Sequence, residues 1–312
     1  MSTGLVYHPD YLKHRTGHDH PERPQRLEAI LQGLAHSGLM EKLVPIAPRE
    51  ALQAELERVH TSEYIALVRS IWEHGLEELD PDTVVSPGTL RAALLAAGGA
   101  LAAVDAVMAG TVRNAFVACR PPGHHATPDR AMGFCLFNNV ALAARHLQAV
   151  HGLERVLIVD WDLHHGNGTQ DIFYDDPTVL YVSSHQYPYY PGTGTREERG
   201  TGAGTGYTIN LPLLPGTPAA AQVKLLLDVF HGPARAFRPQ FILISCGLDA
   251  HKDDPMSALS LEAKDYATLT RALVELAQEH AHGRLVSVLE GGYNLSALAE
   301  SAAAHVQELV AG

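Results

Sequence analysis

The chain has 312 residues, of which 46% are hydrophobic and 19% are charged, and its formal net charge is −12. This composition is ordinary for a globular protein with a sizeable core, and the acidic excess argues against non-specific binding to nucleic acid or to an anionic membrane. We therefore expect no direct nucleic-acid partner and no membrane partner. The three widely spaced cysteines form neither a metal-binding pair nor a disulfide framework, which favours a reducing compartment.

The N-terminal residues "MSTGLVYHPD" contain no basic segment followed by an apolar run, so the sequence predicts no secretion signal. No segment approaches the roughly 18 consecutive apolar residues of a membrane span. We expect a cytoplasmic protein. A homo-oligomer stays open, because nothing in the sequence determines the oligomeric state.

Short runs rich in Val, Ile and Leu alternate with segments of helical periodicity along the chain. The predicted strands are 4–8, 115–119, 155–160, 178–184, 240–247 and 284–292. The predicted helices are 24–36, 62–74, 89–109, 137–150, 218–230, 261–281 and 295–310. Continuously apolar strands between helices are typical of a parallel sheet covered on both faces. Without an internal repeat or a long linker, the sequence predicts one α/β domain over 1–312.

Four of the predicted strands run directly into polar motifs. In chain order these motifs are "RPPGHHA", "WDLHHGN", "LDAHKDDP" and "GGYN". Binding sites in open parallel sheets form outside the carboxyl ends of the strands. We therefore predict a single site to which four loops contribute.

The second of these motifs predicts a metal site. Alternate residues of an extended strand face the same way and rise by about 3.3 Å each, so Asp162 and His164 point together while Asp160 lies about 13 Å from His164. We expect Asp162 and His164 to be ligands, Asp249 to be the third, and Asp160 to support a neighbouring group. One imidazole and two carboxylates suit Zn²⁺ or Fe²⁺ with an open coordination position. A buried ion-pair network without metal is the alternative.

The adjacent residues His124 and His125 follow "RPPG", a stiff turn after a predicted strand. Neighbouring imidazoles on such a loop cannot readily both bind the ion held by Asp162 and His164. They can lie beside its open position as acid–base groups. The alternative is a pair of surface histidines.

The motifs "RPPGHHA", "GFCLFNNVA", "VDWDLHHGNGTQ", "SCGLDAHKDDP" and "LEGGYNL" resemble, in order and spacing, the metal-dependent histone deacetylase family. They are most similar to its class II branch, with the bacterial deacetylase-like amidohydrolases and acetylpolyamine amidohydrolases. The similarity covers nearly the whole chain from "HPERPQRL" onward. It implies a single three-layer αβα domain with a largely parallel eight-stranded sheet, a fold shared with arginases. It also implies zinc-dependent hydrolysis of N-acetyl amides, chiefly of acetyl-lysine side chains in proteins or peptides.

The resemblance also implies roles for individual residues. Asp162, His164 and Asp249 match the zinc ligands, His125 matches the general base and acid, and His124 matches its electrostatic neighbour.

Three further positions match residues that support this chemistry. Asp160 matches the carboxylate that supports His124. Asn167 matches the partner of His125, which is aspartate in class I and asparagine in class II. Tyr293 matches the tyrosine that hydrogen-bonds the substrate carbonyl, and we expect its glycine neighbours to let that loop move.

The family has a narrow acyl-lysine channel with aromatic walls. Gly133, Phe134 and Tyr190 resemble the residues that line this channel. Polyamine-selective relatives carry an acidic gatekeeper where this chain has Met256. Arg26 lies where the family places an arginine lining an internal cavity, and a charge on a helix surface is the alternative for it.

The family also binds monovalent cations, usually K⁺. The positions resembling its inner site are Asp160, Asp162, His164, Ser183 and Ser184. Those resembling its outer site, chiefly through backbone carbonyls, are Phe173, Asp176, Val179 and Tyr207.

Three alternatives compete with the acetyl-lysine hypothesis. An acetylpolyamine hydrolase uses the same chemistry. A binuclear manganese ureohydrolase of the arginase type is suggested by "DAHKD", in which we instead interpret His251 and Asp253 as loop residues. A non-catalytic acyl-lysine binder would need a broken site, whereas every position here is intact.

Overall fold

The computed structural model describes residues 2–71 and 74–312. Its main sheet is formed by β1 (Thr3–Val6), β2 (Leu43–Ile46), β5 (Asn114–Val117), β6 (Val156–Asp160), β7 (Val179–Gln186), β8 (Thr208–Leu213), β9 (Phe241–Cys246) and β10 (Leu285–Leu289). The strand order is β2-β1-β5-β10-β9-β6-β7-β8, and every neighbouring pair is parallel. A separate antiparallel hairpin consists of β3 (Glu78–Asp80) and β4 (Thr83–Val84).

Helices cover the sheet on both faces. They are α1 (Gln25–His36), α2 (Gln53–Leu56), α3 (Ser62–Ser70), α4 (Thr89–Met108), α5 (Asn139–His151), α6 (Asn167–Ile172), α7 (Ala219–Val229), α8 (Arg235–Phe237), α9 (Ala263–His280) and α10 (Leu295–Ala311). α4 and α5 pack together on one side, whereas α1, α9 and α10 pack together on the other. This arrangement confirms the predicted single-domain α/β fold with its eight-stranded sheet.

The two edge strands of the sheet were not predicted from the sequence. β2 and β8 lie at opposite ends of the strand order and contain Pro45 and Pro212. Proline lacks the N–H that an interior strand donates, so it is tolerated at a sheet edge and weakens the strand pattern there. The prediction also omitted the short helices α2, α6 and α8 and the β3–β4 hairpin. The predicted helix 62–74 ends earlier, at Ser70, and two of its residues, 72 and 73, lie outside the described residues.

α4 has the length and apolar composition of a membrane span, but 72% of its most apolar stretch is buried inside the protein. It packs on α5 and contacts β1, β2, β5 and β10. Its apolar character is therefore accounted for by the core.

The strand order explains why four motifs meet. The strands β5, β10, β9 and β6, whose ends carry the polar motifs, are consecutive neighbours in the sheet. Asp160 at the end of β6 is in register with Ser245 of β9, one residue before that strand ends. Because all four strands are parallel, their carboxyl ends deliver the four loops to one edge.

Candidate active site

Asp162, His164 and Asp249 form a buried cluster at this edge. Nδ1 of His164 lies 3.0 Å from Oδ1 of Asp162 and 3.2 Å from Oδ2 of Asp249. The three potential ligand atoms all lie within 4.8 Å of one another. The structure thus brings together the three residues for which the sequence predicts metal binding.

The backbone that leads from β6 to Asp162 and His164 is not the extended strand that we expected. β6 already ends at Asp160, and the following turn is held by side-chain acceptors. Oδ1 of Asp160 accepts the N–H of Asp162 at 3.1 Å, and Oδ1 of Asp249 accepts the N–H of Leu163 at 2.8 Å. Asp162 and His164 converge because these bonds shape the turn, and strict strand alternation is not required.

Glycines make room for the cluster. A Cβ atom at Gly247 would collide with the Asp162 carboxylate, and one at Gly291 would collide with those of Asp162 and Asp249. The N–H of Gly291 donates to Oδ2 of Asp162 at 2.8 Å. We expected the glycines beside Tyr293 to give that loop mobility, but Gly291 is needed for close approach to the carboxylates.

The tandem histidines lie against this cluster and differ in their partners. Nδ1 of His124 lies 2.9 Å from Oδ2 of Asp160, whereas Nδ1 of His125 lies 2.8 Å from Oδ1 of Asn167. The rings of His125 and His164 are 5.9 Å apart between centroids. Both histidines are buried, which excludes the alternative of surface loop histidines.

These partners shift the two imidazole pKa values in opposite directions. Burial opposes the charged form of His124, but Asp160 and Asp162 outweigh it and raise its pKa well above the usual value. Burial, together with the neighbouring His124 and His164, holds the pKa of His125 well below the usual value. Because the Asn167 oxygen can only accept a hydrogen bond, Nδ1 of neutral His125 donates and Nε2 keeps its lone pair.

Glu290 is a buried residue that sequence analysis missed. Its Oε2 accepts the N–H groups of Gly123 and His124 at 2.6 and 3.1 Å, and its Oε1 accepts from the Ser245 hydroxyl at 3.1 Å. Burial raises its pKa to about 7. The carboxylate thus connects the loop of His124 to the carboxyl ends of β9 and β10. Because Glu290 and His124 are 166 positions apart, no local sequence spacing reveals this contact.

Tyr293 is held by contacts from both sides of its loop. Asp254 accepts the backbone N–H of Tyr293 at 2.7 Å, and Nε of Arg26 donates to the carbonyl of Gly292 at 2.6 Å. The Arg26 guanidinium also lies over the Tyr293 ring, 5.1 Å from its centroid. Arg26 is fully buried, so the alternative interpretation of Arg26 as a charge on a helix surface is wrong. The role of Asp254 was not anticipated.

A narrow pocket of about 200 Å³ leads to this cluster. Its lining includes the predicted residues Gly133, Phe134, Tyr190, Met256 and Tyr293, together with Asp82 and Tyr189, which sequence analysis missed.

Four aromatic rings line this pocket and contact one another or the buried histidines. Phe134 and Tyr293 meet edge to face with centroids 6.0 Å apart, Tyr190 meets His125 at 5.2 Å, and Tyr189 stacks on His164 at 5.4 Å. The adjacent residues Tyr189 and Tyr190 therefore both contribute rings to the pocket lining.

Of the positions that resemble monovalent-cation sites, the inner set lies beside this edge, whereas the outer set lies at the opposite edge of the sheet, where β7 begins at Val179. For the inner set, Asp160 is paired with Ser183 in the β6–β7 register, and the hydroxyl of Ser184 accepts from Gln222 at 3.0 Å.

In the outer set, the Asp176 carboxylate accepts from Arg145 at 2.5 Å and from Thr178. It is thus already engaged, and Phe173, Val179 and Tyr207 would contribute backbone carbonyls.

The arginase-type pattern does not assemble a second metal site here. The carboxylate of Asp253 is 60% exposed and lies 3.8 Å from Nδ1 of His251. Among the residues that the structure describes, neither joins the group formed by Asp162, His164 and Asp249.

One imidazole nitrogen and two carboxylate oxygens converging in a buried pocket fit a first-row divalent metal ion. With a neutral imidazole beside them, they define a metal-dependent hydrolase.

The chain belongs to the histone deacetylase family, because the family model for the histone deacetylase domain matches residues 20–309. This family is metal-dependent, and its members among the relatives are named deacetylases and amidohydrolases.

Three curated relatives illustrate this membership. A probable deacetylase of Archaeoglobus fulgidus is 45% identical, covering 95% of this chain and 82% of its own length. The histone deacetylase-like amidohydrolase of Pseudomonas aeruginosa is 39% identical, covering 94% and 77%. The polyamine deacetylase HDAC10 of Homo sapiens is 42% identical over 99% of this chain, which spans only 48% of that protein. The crystal structure of the HDA15 HD domain superposes with a TM-score of 0.93 at 39% identity, covering 99% of this chain and 88% of that one.

Proposed function

We propose that this protein is a zinc-dependent hydrolase of N-acetyl amides whose main substrates are acetyl-lysine side chains. The observation that carries the proposal is the meeting of the Asp162, His164 and Asp249 cluster with His125 in a narrow aromatic pocket. The three clustered residues would hold Zn²⁺, with Fe²⁺ as the alternative ion. When bound, the ion supplies Lewis acidity that polarises the amide carbonyl and lowers the pKa of a water molecule.

His125 is the group that moves the proton. Its Nδ1 is committed to Asn167 and its low pKa keeps the ring neutral, so Nε2 can accept a proton from the attacking water. The resulting imidazolium can deliver this proton to the leaving amine nitrogen. His124, which is paired with Asp160 and favours its charged form, places positive charge beside the oxyanion that develops.

Tyr293 supplies the hydrogen bond to the carbonyl oxygen. Burial, together with Asp249 and Asp162, raises its pKa well above the usual value, so its hydroxyl stays protonated at neutral pH and can donate. Its backbone is fixed through Asp254 and Gly292. A donor placed in advance costs no reorganisation when negative charge forms on the oxygen.

The pocket lining favours acetyl-lysine without excluding a cationic amine. Met256 is neutral where polyamine-selective relatives of the family carry an acid. Asp82 does place a carboxylate in the lining, where its Oδ1 accepts the N–H of Gly133 at 3.1 Å. Together with the HDAC10 relative, this carboxylate supports acetylpolyamines as the second candidate substrate. K⁺ at the Ser183 and Phe173 sets is part of the same proposal.

A substrate panel tests this function. Acetyl-lysine peptides, acetylpolyamines and longer acyl-lysines would each be assayed with the metal-replete protein, with and without a chelator. We expect the highest kcat/KM on acetyl-lysine and loss of all activity after chelation. A preference for acetylpolyamine would promote the second candidate, and activity that survives chelation would refute the zinc mechanism.

A further inference from the structure

A second group of metal-binding side-chain types lies where α4 and α5 pack together. Nε2 of His146 and Nε2 of His151 lie 2.7 and 2.8 Å from the same atom, Oδ1 of Asp105. α5 begins beside the pocket, at Asn139, and ends at His151, about 18 Å further along the helix axis at 1.5 Å per residue. The proposed deacetylase mechanism uses none of these three residues.

We propose that Asp105, His146 and His151 bind a divalent transition-metal ion, Zn²⁺ or one of similar chemistry, in addition to the ion of the active site. Two imidazoles and one carboxylate are an established donor set for zinc. The three ligand atoms lie within 4.8 Å of one another. They belong to two helices that are fixed against each other by the core, so the site is largely pre-formed.

The spacing fits the ion after a small adjustment. Ligand atoms about 2.0–2.1 Å from a tetrahedral Zn²⁺ are about 3.3 Å apart, so the nitrogens must move about 0.5 Å away from the oxygen. The side chains of Asp105 and His151 are 42% and 21% exposed, which leaves them room to move. The same exposure lets water complete the coordination.

Arg58 competes with the ion for His146. Its Nη1 lies 2.8 Å from Nδ1 of His146 and donates to it, so the ring proton is on Nε2, facing Asp105. Binding an ion at Nε2 moves that proton to Nδ1, and Arg58 must then turn away because both groups would be donors. The half-buried guanidinium lies at the edge of the cluster and can do so. Removing Arg58 should therefore strengthen binding.

The experiment counts metal on untagged, metal-free protein equilibrated with Zn²⁺ at micromolar concentration, using inductively coupled plasma mass spectrometry. We expect the wild type to bind a second equivalent that His151→Gln loses, with unchanged kcat/KM for deacetylation. The matched control His18→Gln removes a histidine whose side chain is 98% exposed and should keep both equivalents. Thermal unfolding should show a rise in Tm with the second equivalent only where the cluster is intact.

Arg58→Gln gives an independent test, because it should bind the second equivalent more tightly than the wild type does. Asp105→Asn serves the same purpose as His151→Gln if that variant fails to fold. A wild type that saturates at one equivalent, or a His151→Gln variant that keeps both, would overturn the proposal.

Discussion

The floor and the rim of the pocket are built on different principles. We define the floor as His124, His125, Asp162, His164, Asp249 and Tyr293, and the rim as Asp82, Tyr189, Tyr190 and Met256. Floor side chains are buried and, apart from that of Tyr293, hydrogen-bond to other buried groups. Rim side chains are half-buried or, for Tyr190, 38% exposed. From this contrast we expect the floor residues to hold the catalytic groups in one geometry. We expect the rim residues to select among substrates and to tolerate substitution.

The largest effect is expected for His125→Ala. This variant removes the only floor imidazole that is held neutral with a free Nε2, so kcat should fall by about 10³–10⁴-fold, the upper range for general acid–base catalysis. Steady-state kinetics on an acetyl-lysine peptide would measure the loss, with metal content confirmed by mass spectrometry. A variant that keeps its metal and turns over within tenfold of the wild type would show that another group moves the proton.

Tyr293→Phe should cost less, about 10²–10³-fold in kcat, the scale of losing one donor to an oxyanion. Substrate binding should change little, because the ring that packs against Phe134 is retained. Tyr190→Phe is the matched control: it removes a rim hydroxyl and should leave kcat within about twofold. If kcat fell equally in both variants, the Tyr293 hydroxyl would have no catalytic role beyond that of a rim hydroxyl.

Asn167→Asp should shift the pH profile of kcat/KM. An anion next to His125 favours the imidazolium and raises its pKa, typically by about one to three units. Because His125 must be neutral to accept a proton, the acidic limb of the profile should move to higher pH and activity at pH 6 should fall. An unchanged acidic limb would mean that His125 does not set it.

The smallest change is expected at the rim, for Met256→Glu. One added carboxylate at the pocket mouth should raise the ratio of kcat/KM for acetylpolyamine to that for acetyl-lysine by about tenfold, since each 1.4 kcal/mol of discrimination is a factor of ten. Met256→Gln is the neutral control and should not change the ratio. If both variants behave alike, charge at the rim does not select the substrate.

The sequence predicted the floor better than the rim. Asp162, His164 and Asp249 could be placed together because apolar strands leading into polar motifs reveal strand ends, and parallel strands share an edge. The structure brings these three residues together as predicted, although β6 ends at Asp160 and the strand alternation used in the prediction therefore does not extend to Asp162 and His164.

Other residues had no local signal. Glu290 and Asp254 act on backbone groups 166 and 39 positions away, so only the folded chain shows their role. Asp82 lies in a short hairpin turn whose strands of three and two residues leave no periodic pattern. The sequence predicted Tyr190 as a wall of the pocket but not Tyr189, because both follow the end of β7 in an irregular loop, where side-chain direction does not follow a fixed period.

Metal removal and reconstitution test the central claim most directly. The chelated protein, freed of divalent ions, should be inactive on acetyl-lysine peptide, and one equivalent of Zn²⁺ should restore activity in the wild type while Asp249→Asn regains little. His151→Gln should recover like the wild type, because it leaves the floor intact. Full activity in the metal-free protein, or full reconstitution of Asp249→Asn by that single equivalent, would contradict the account.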